Sequence, residues 1–492
     1  MHHLETPNLT HKEILRRIAR RCLLEKGFEP EFNAKIQSEL STSVKPFTNT
    51  AKLIDYTHLP WCSIDNDDSR DLDQLTVAES LPNEVTRIHV AIADVDSVVQ
   101  RNTALDGHAH QNTTSIYTPG NVFPMLPELL SNDITSLNLN EERAAIVVSM
   151  DFSVEGKLLN FTHTQGVVKN HAKLAYNSVA AWLDGTLPKL EAIERVPRLA
   201  ENLRLQDLVA QKLKELRHTR GALYFETLRA NPVFDGTTLK ELSKDSKNRA
   251  HDIIEDFMIS ANSATAVFLQ SKKFPVLKRV VKKPKDWDRI VELAAEKGCR
   301  LPARPDVVSL SQFLDAEMAA NPESFADLSL AVIKLIGPGI YIAETPEGPT
   351  EGHFGLAVDQ YAHSTAPNRR YPDIITQRLI KAILANQKAP YSYPDLVALA
   401  NHCTEMADNA KKVERFLVKS AAALLMEKMI GQRFNGIITG AADKGTWVRL
   451  FQIPIEGRIV SGHKGLKVGQ KITVTLLSTN VQKGFIDFEA KA

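Results

Sequence analysis

Residues 61 to 74 read WCSIDNDDSRDLDQ and hold five aspartates, Asp65, Asp67, Asp68, Asp71 and Asp73, with one arginine among them. Apolar residues flank the run, Trp61, Cys62 and Ile64 before it and Leu75 and Val77 after it, which marks the segment for burial. Buried carboxylates need a cation or hydrogen-bond donors. Asp71 and Asp73 are two apart and share a face in an extended segment, and Asp65 can return to that face around a loop. Three converging carboxylates suit Mg²⁺, one or two ions, which keeps waters and takes further ligands from a substrate phosphate. Such an ion activates a water for attack on a phosphodiester. A calcium loop fits poorly, because Arg70 stands where a glycine is needed and Thr76 where a bidentate glutamate is needed. The bland alternative is a solvated acidic loop.

A second constellation lies in HFGLAVDQYAHSTAPNRRYPDIITQRLIKAIL, residues 353 to 384. Ile374, Ile375, Arg378, Leu379, Ala382 and Ile383 recur at helical spacing, and Pro372 suits a first turn. Arg369 and Arg370 therefore sit at a helix N-terminus, where backbone N–H groups also favour anions. An arginine facing a metal site stabilises charge developing on a phosphoryl group. Surface arginines at the start of a helix are the competing reading.

The elements that must position these residues follow from periodicity. Residues 10 to 26 predict a helix with Thr10 as its N-cap, a second helix covers 31 to 40, and 41 to 50 suit a linker. Strand-like runs dominate from about 53 to 165, and helical spacing covers 177–218, 247–270, 287–298, 325–336, 372–386 and 394–431. From residue 433, five short β-rich runs predict a small barrel of the kind that binds single-stranded nucleic acid. The fold class is α+β: a helical N-terminal module over 1–50, for which a helix-turn-helix-like arrangement is the expectation, a catalytic body over 51–432 and a barrel over 433–492.

Lys plus Arg total 60 against 59 for Asp plus Glu, so a polyanion must be held by local basic patches. Candidates are SKKFPVLKRVVKKPK (271–285) and the series Lys411, Lys412, Arg415, Lys419. Cys22, Cys62, Cys299 and Cys403 form no paired spacing, and no signal segment or long apolar run occurs. These features predict a cytoplasmic protein with no membrane segment, and the chain is further expected to act as a monomer without an organic cofactor. His108 and His110 have no third ligand block and read as ordinary polar residues.

Together, SIDNDDSRDLDQ and HFGLAVDQYAHSTAPNRRYPD resemble the two signature blocks of the ribonuclease II and ribonuclease R (RNB) exoribonucleases. The resemblance runs from about residue 53 to the C-terminus and includes SIYTPGNVFPMLPELLSNDITSLN, KLAYNSVAAWL, IIEDFMISAN and an S1-like OB barrel. It implies an RNB catalytic domain, a mixed sheet surrounded by helices, that degrades single-stranded RNA processively from its 3′ end. The products would be nucleoside 5′-monophosphates, released with Mg²⁺. The family's four aspartates fall on Asp65, Asp71, Asp73 and position 74. The resemblance implies Asp65, Asp71 and Asp73 as metal-site residues, Arg369 as the clamp on the scissile phosphate and Glu414 as an acid near the centre. Arg370 adjoins that clamp and joins the RNA-binding set. Tyr117 is implied to stack on the terminal base, and Tyr176 and Glu255 to favour ribose over deoxyribose, since the 2′-OH is both donor and acceptor. A core tyrosine and a surface glutamate remain open for the last two. In the barrel, Trp447, Arg449 and Phe451 alternate along one strand, as a base-stacking platform or as core aromatics.

The chain departs from the family in two places. About 50 helical residues replace the cold-shock barrels of many relatives, which points to Arg16, Arg17, Arg20 and Arg21 as a grip on RNA or as docking residues. Gln74 replaces an acid, so it either ligates metal through its carbonyl or weakens the site. A catalytically weak RNA-binding factor on the same fold is the alternative function.

Overall fold

The computed structural model describes residues 9–42, 53–226, 230–244, 247–348, 350–442 and 445–490. Helices α1 (His11–Glu25) and α2 (Ala34–Thr42) come first. Thr10 starts α1 through a capping box: its hydroxyl accepts from the Glu13 N–H, and the Glu13 carboxylate accepts from the Thr10 N–H at 2.8 Å. Next are β1 (Ile54–Asp55), β2 (Cys62–Asp65), β3 (Gln74–Ser80), β4 (Thr86–Ala93), helix α3 (Ala104–Asn112) and a hairpin of β5 (Ile116–Thr118) and β6 (Asn121–Phe123). With β7 (Glu142–Phe152), β8 (Leu158–Lys169) and β9 (Ala172–Ala175), a seven-stranded sheet is complete in the order β1-β8-β7-β4-β3-β2-β9. It is mixed: β1 with β8 and β2 with β9 are parallel, the rest antiparallel.

Helices α4 (Tyr176–Leu183), α5 (Glu191–Glu194) and α6 (Leu199–Thr219) follow, then the hairpin β10 (Ala230–Asp235) and β11 (Thr238–Lys244), and α7 (Arg249–Ser271). Strand β12 (Val276–Val280) pairs with β13 (Ile340–Glu344) across an excursion of α8 (Trp287–Glu296), α9 (Val307–Ala320) and α10 (Pro322–Ile336). After α11 (Tyr371–Leu384) and the long α12 (Tyr393–Met426), strands β14 (Arg433–Ala442), β15 (Gly445–Leu450), β16 (Glu456–Ser461), β17 (Lys471–Asn480) and β18 (Phe485–Ala490) close the expected five-stranded barrel.

Alternation along the central strands explains why the sheet has helices on both faces. Leu75, Val77, Ala91 and Ala93 point into a core shared with Tyr371, Ile374 and Leu379 of α11. Ala78, Ile88, Val90 and Ile92 point the other way, against Val209 and Leu213 of α6 and Ile253 and Phe257 of α7. The helical stretch read over 177–218 is broken into α4, α5 and α6, and α9 was not read at all, although Leu310, Phe313 and Leu314 are buried at helical spacing.

One buried ion pair ties β12 to β13. Lys278 Nζ donates to Glu344 Oε1 at 2.7 Å, with side chains 0 % and 5 % exposed. Lys278→Met leaves Glu344 charged and buried, and is expected to lower the free energy of unfolding by about 3–5 kcal/mol in a denaturant titration. The double variant with Glu344→Leu is expected to recover most of that loss.

Candidate active site

The two signature segments meet although 295 residues separate the atoms that join them. Asp73 precedes β3 and is buried. Its Oδ1 accepts from the Asn368 backbone N–H at 2.8 Å, and its Oδ2 accepts from Arg369 Nε at 3.1 Å. Burial pushes its pKa up to about 7; the Arg369 charge opposes that shift and the Asp71 charge adds to it. The turn holding Arg369 is fixed from both sides. Ser115 N–H donates to the Arg369 carbonyl at 3.0 Å, and Tyr371 N–H donates to the Thr113 carbonyl at 2.8 Å, which lays the β5–β6 hairpin beside it. Behind it, Arg378 of α11 is buried between Asp96 and Asp106, each at 2.8 Å, and seats that helix on the sheet.

The hairpin brings Tyr117 to the aspartates. Its hydroxyl donates to Asp71 Oδ2 at 2.9 Å, and its N–H donates to Glu414 Oε1 of α12 at 3.1 Å. Tyr117 thus contacts two of the expected acids at once. Asp65 ends β2, where its Oδ1 accepts from Asn66 N–H at 2.8 Å and Ser69 Oγ at 2.9 Å. Burial raises the Asp65 pKa, and Arg369 and Asp71 act on it with opposite signs. Tyr176 opens α4, its ring stacked on His251 of α7 at 3.9 Å and 11°. Burial and then the Asp65 charge hold the Tyr176 phenol above its ordinary value.

Several expected roles meet competing partners. Gln74 pairs with Ile92 in the β3–β4 ladder, so its side chain belongs to the face of Thr76 and Ala78, which α6 covers. Asp73 lies on the opposite face. Arg370 is committed to Asp373, with Nη2 donating to Oδ1 at 2.7 Å. Glu255 is ion-paired with Lys247 and lies 3.9 Å from Arg217. In the barrel, Arg449 reaches back to Asp327 of α10 in a two-pronged ion pair, so it is a docking residue in this arrangement and not a free RNA contact. Trp447 and Arg449 occupy the outer face of β15, whereas Val448 and Leu450 fill the barrel core, which rules out the core-aromatic reading.

The three aspartates do not form a ready cage. Among the described residues, no three His, Cys, Asp or Glu side chains gather closely enough to hold a metal ion on their own. This corrects the expectation of three converging ligands, because both Asp73 oxygens are already engaged. The donor chemistry nevertheless fits Mg²⁺. No hydrogen bond among the described residues engages Asp65 Oδ2 or Asp71 Oδ1, and Mg²⁺ is commonly held by one or two carboxylates, waters and substrate phosphate. The sequence did not foretell the Asn368 N–H or the His251 stack; neither has a local signal beyond its neighbours Arg369 and Glu255.

Comparison with known proteins gives the family. The profile described as RNB domain matches residues 53–386, and that described as RNase II-type exonuclease C-terminal S1 domain matches 432–491. Ribonuclease R of Vibrio parahaemolyticus is 31 % identical over 477 residues, covering 89 % of this chain and 56 % of the relative. Ribonuclease R of Escherichia coli is 31 % identical over 423 residues, covering 82 % and 51 %. The chain thus spans about half the length of these curated relatives. A structure of Mycoplasma genitalium RNase R with ribose-methylated single-stranded RNA superposes with a TM-score of 0.87 at 22 % identity, covering 97 % of this chain and 78 % of that one. A matched RNB domain over most of its length, followed by the S1 domain, makes this chain a member of the RNB family.

Proposed function

We propose that the chain is a 3′-to-5′ exoribonuclease that hydrolyses single-stranded RNA processively to nucleoside 5′-monophosphates, with one or two Mg²⁺ ions. The observation behind this reading is the Asp73–Arg369 contact beside Asp71, Tyr117 and Asp65. Arg369 Nε is held by Asp73, and no hydrogen bond among the described residues uses its Nη1 or Nη2. That leaves two donors, on an arginine already oriented, to meet the oxygens of a scissile phosphate. Asp65 and Asp71 are the residues to hold metal. Bound Mg²⁺ supplies a nucleophilic water at neutral pH and offsets charge on the leaving oxygen. Water adds to phosphorus, the bond to the 3′ oxygen of the preceding ribose breaks, and the shortened strand keeps a 3′-hydroxyl.

Tyr117 holds Asp71 and stacks on the terminal base, while Tyr176 and Glu255 favour ribose. Tyr117→Phe keeps the ring but removes the hydrogen bond to Asp71, and is expected to lower kcat about tenfold. Tyr117→Ala should also lengthen the final product, which a denaturing gel resolves. Four free cysteines fit a reducing, cytoplasmic setting, and we read the working form as a monomer without an organic cofactor. Among the described residues, no helix is long and apolar enough to cross a membrane.

A second reading, a weak enzyme that mainly binds RNA, is favoured by the aspartates being turned to different partners, Asp73 to Asn368 and Arg369 and Asp71 to Tyr117, while Gln74 faces α6 and supplies no replacement ligand. A time course on 5′-labelled RNA, with Mg²⁺ or with EDTA and alongside DNA of the same sequence, separates the two. The enzyme reading predicts shortening from the 3′ end of the RNA only, and only with Mg²⁺. Binding without shortening would establish the second.

A further inference from the structure

A cleft of ≈ 820 Å³ opens between the N-terminal helices and the β5–β6 hairpin. That volume lies within the range of about 300–1,000 Å³ typical of ligand sites. One wall is the outer face of α1, with Arg16, Arg17 and Arg20. The four arginines of that helix have different fates. Arg21 docks on the barrel, donating to the Gln482 carbonyl at 3.2 Å, and Arg20 is taken by Glu31 at 2.5 Å. Arg16 and Arg17 are exposed and make no salt bridge among the described residues, with only the Glu13 carboxylate, one turn earlier on α1, in the field of Arg17. Much of the remaining lining is apolar: Val122 is 49 % exposed, Leu129 is 47 % exposed, and Phe123 and Phe32, the latter with its ring beside His108, also line the cleft. Glu128 also faces the cleft and offsets part of the free charge, which still leaves a positive balance.

This cleft and the candidate active site share the β5–β6 hairpin. Val122 is the cross-strand partner of Tyr117, so one hairpin presents the cleft wall on one strand and the Asp71 contact on the other. The hairpin is held by α1 itself. Gly120 at its tip has φ +77°, and a Cβ there would come within 3.0 Å of both Lys12 Cγ and the Phe234 ring. Helix α1 in turn packs along α12, the helix of Glu414, through Ile18 and Leu23 against Met406, Ala410 and Val413.

Resting on the exoribonuclease reading, we propose that this cleft binds single-stranded RNA upstream of the 3′ end. Arg16 and Arg17 neutralise two phosphates, and Phe32, Phe123, Val122 and Leu129 receive the bases. Adjacent unpaired guanidiniums beside aromatic and apolar side chains are the combination that grips single strands without reading sequence. A protein partner is the alternative occupant, and it would leave RNA binding indifferent to Arg16 and Arg17.

Fluorescence anisotropy in EDTA, with labelled RNAs of roughly 5 and roughly 25 nucleotides, tests the proposal through length and salt dependence. For the long RNA, R16E/R17E is expected to weaken binding about tenfold or more and to flatten the salt slope by about 1.4, the value for two single-strand phosphates. Val122→Asp, on the other wall, should weaken the long RNA in the same way. The short RNA should bind both variants much as it binds wild type. If both variants match wild type at both lengths with the same salt slope, the cleft is not an RNA site, while the exoribonuclease reading stands. Equal losses for both lengths also contradict the proposal, because the effect would then arise at the 3′ end. If the wild-type chain binds neither RNA, the exoribonuclease reading itself fails and the proposal falls with it.

Discussion

Asp73→Asn is expected to lower kcat for RNA hydrolysis by about 10³-fold while leaving RNA affinity near that of wild type. The amide keeps the shape but loses the charge that orients Arg369, and only its oxygen accepts, so either Asn368 N–H or Arg369 Nε is left facing an NH2 group. Single-turnover hydrolysis with excess enzyme measures the first effect, and anisotropy in EDTA the second. The same variant makes a stability test. Because burial raises the Asp73 pKa to about 7 from 3.8, the folded metal-free chain holds a proton that the unfolded chain has lost across that window. This group therefore costs stability progressively as pH rises from about 4 to about 7, and the cost is constant above that. Asp73→Asn removes it, so the metal-free variant should melt later than wild type near pH 8 and no later near pH 4. Divalent ions held by the neighbouring Asp65 and Asp71 should bind wild type more tightly as pH rises through the same window, because Asp73 is then ionised beside them.

Arg369→Ala is expected to cost about 10²–10³-fold in kcat, and Arg369→Lys should restore little of it. Lysine is a point charge without the fork that lets one nitrogen hold Asp73 while two others meet phosphate. A further consequence separates this role from simple loss of packing. The Arg369 charge holds the Asp73 pKa down against burial, so its removal should carry that pKa above about 7. The acid limb of the pH–rate profile then moves to higher pH in Arg369→Ala and stays near its wild-type position in Arg369→Lys. An unchanged profile in Arg369→Ala would mean that Asp73 and Arg369 are not coupled in the active form.

Much of this arrangement was legible in the sequence because its cues are local. Thr10 ahead of the helical spacing announced the start of α1, and the Asp71–Asp73 spacing announced an extended acidic segment. Alternation in β15 likewise placed Trp447 and Arg449 on one face. Alternation says nothing of what covers a face, however, and Asp327, on the helical excursion between β12 and β13, claims Arg449. Glu255 shows the same limit: its helix was plain from periodicity, but its partners Lys247 and Arg217 depend on how α6 and the turn before α7 pack. Gln74 was read by its position beside Asp73, whereas the ladder register with Ile92 turns it to the other face of the sheet. The donors that bind Asp73 are tertiary in origin. A backbone N–H from residue 368 has no signature in residue type, and only the crossing of two distant segments makes it part of the site.

The proposed centre hydrolyses RNA from its 3′ end with a divalent metal, and the origin of the oxygen in its products reports that chemistry. Mass spectrometry of the products formed in heavy-oxygen water, with Mg²⁺ and with EDTA, tests it most directly. Nucleoside 5′-monophosphates carrying one solvent oxygen in the phosphate, formed with Mg²⁺ and absent with EDTA, are the predicted result. Nucleoside diphosphates, cyclic phosphates, unlabelled monophosphates, or no mononucleotide at all with Mg²⁺ would contradict it.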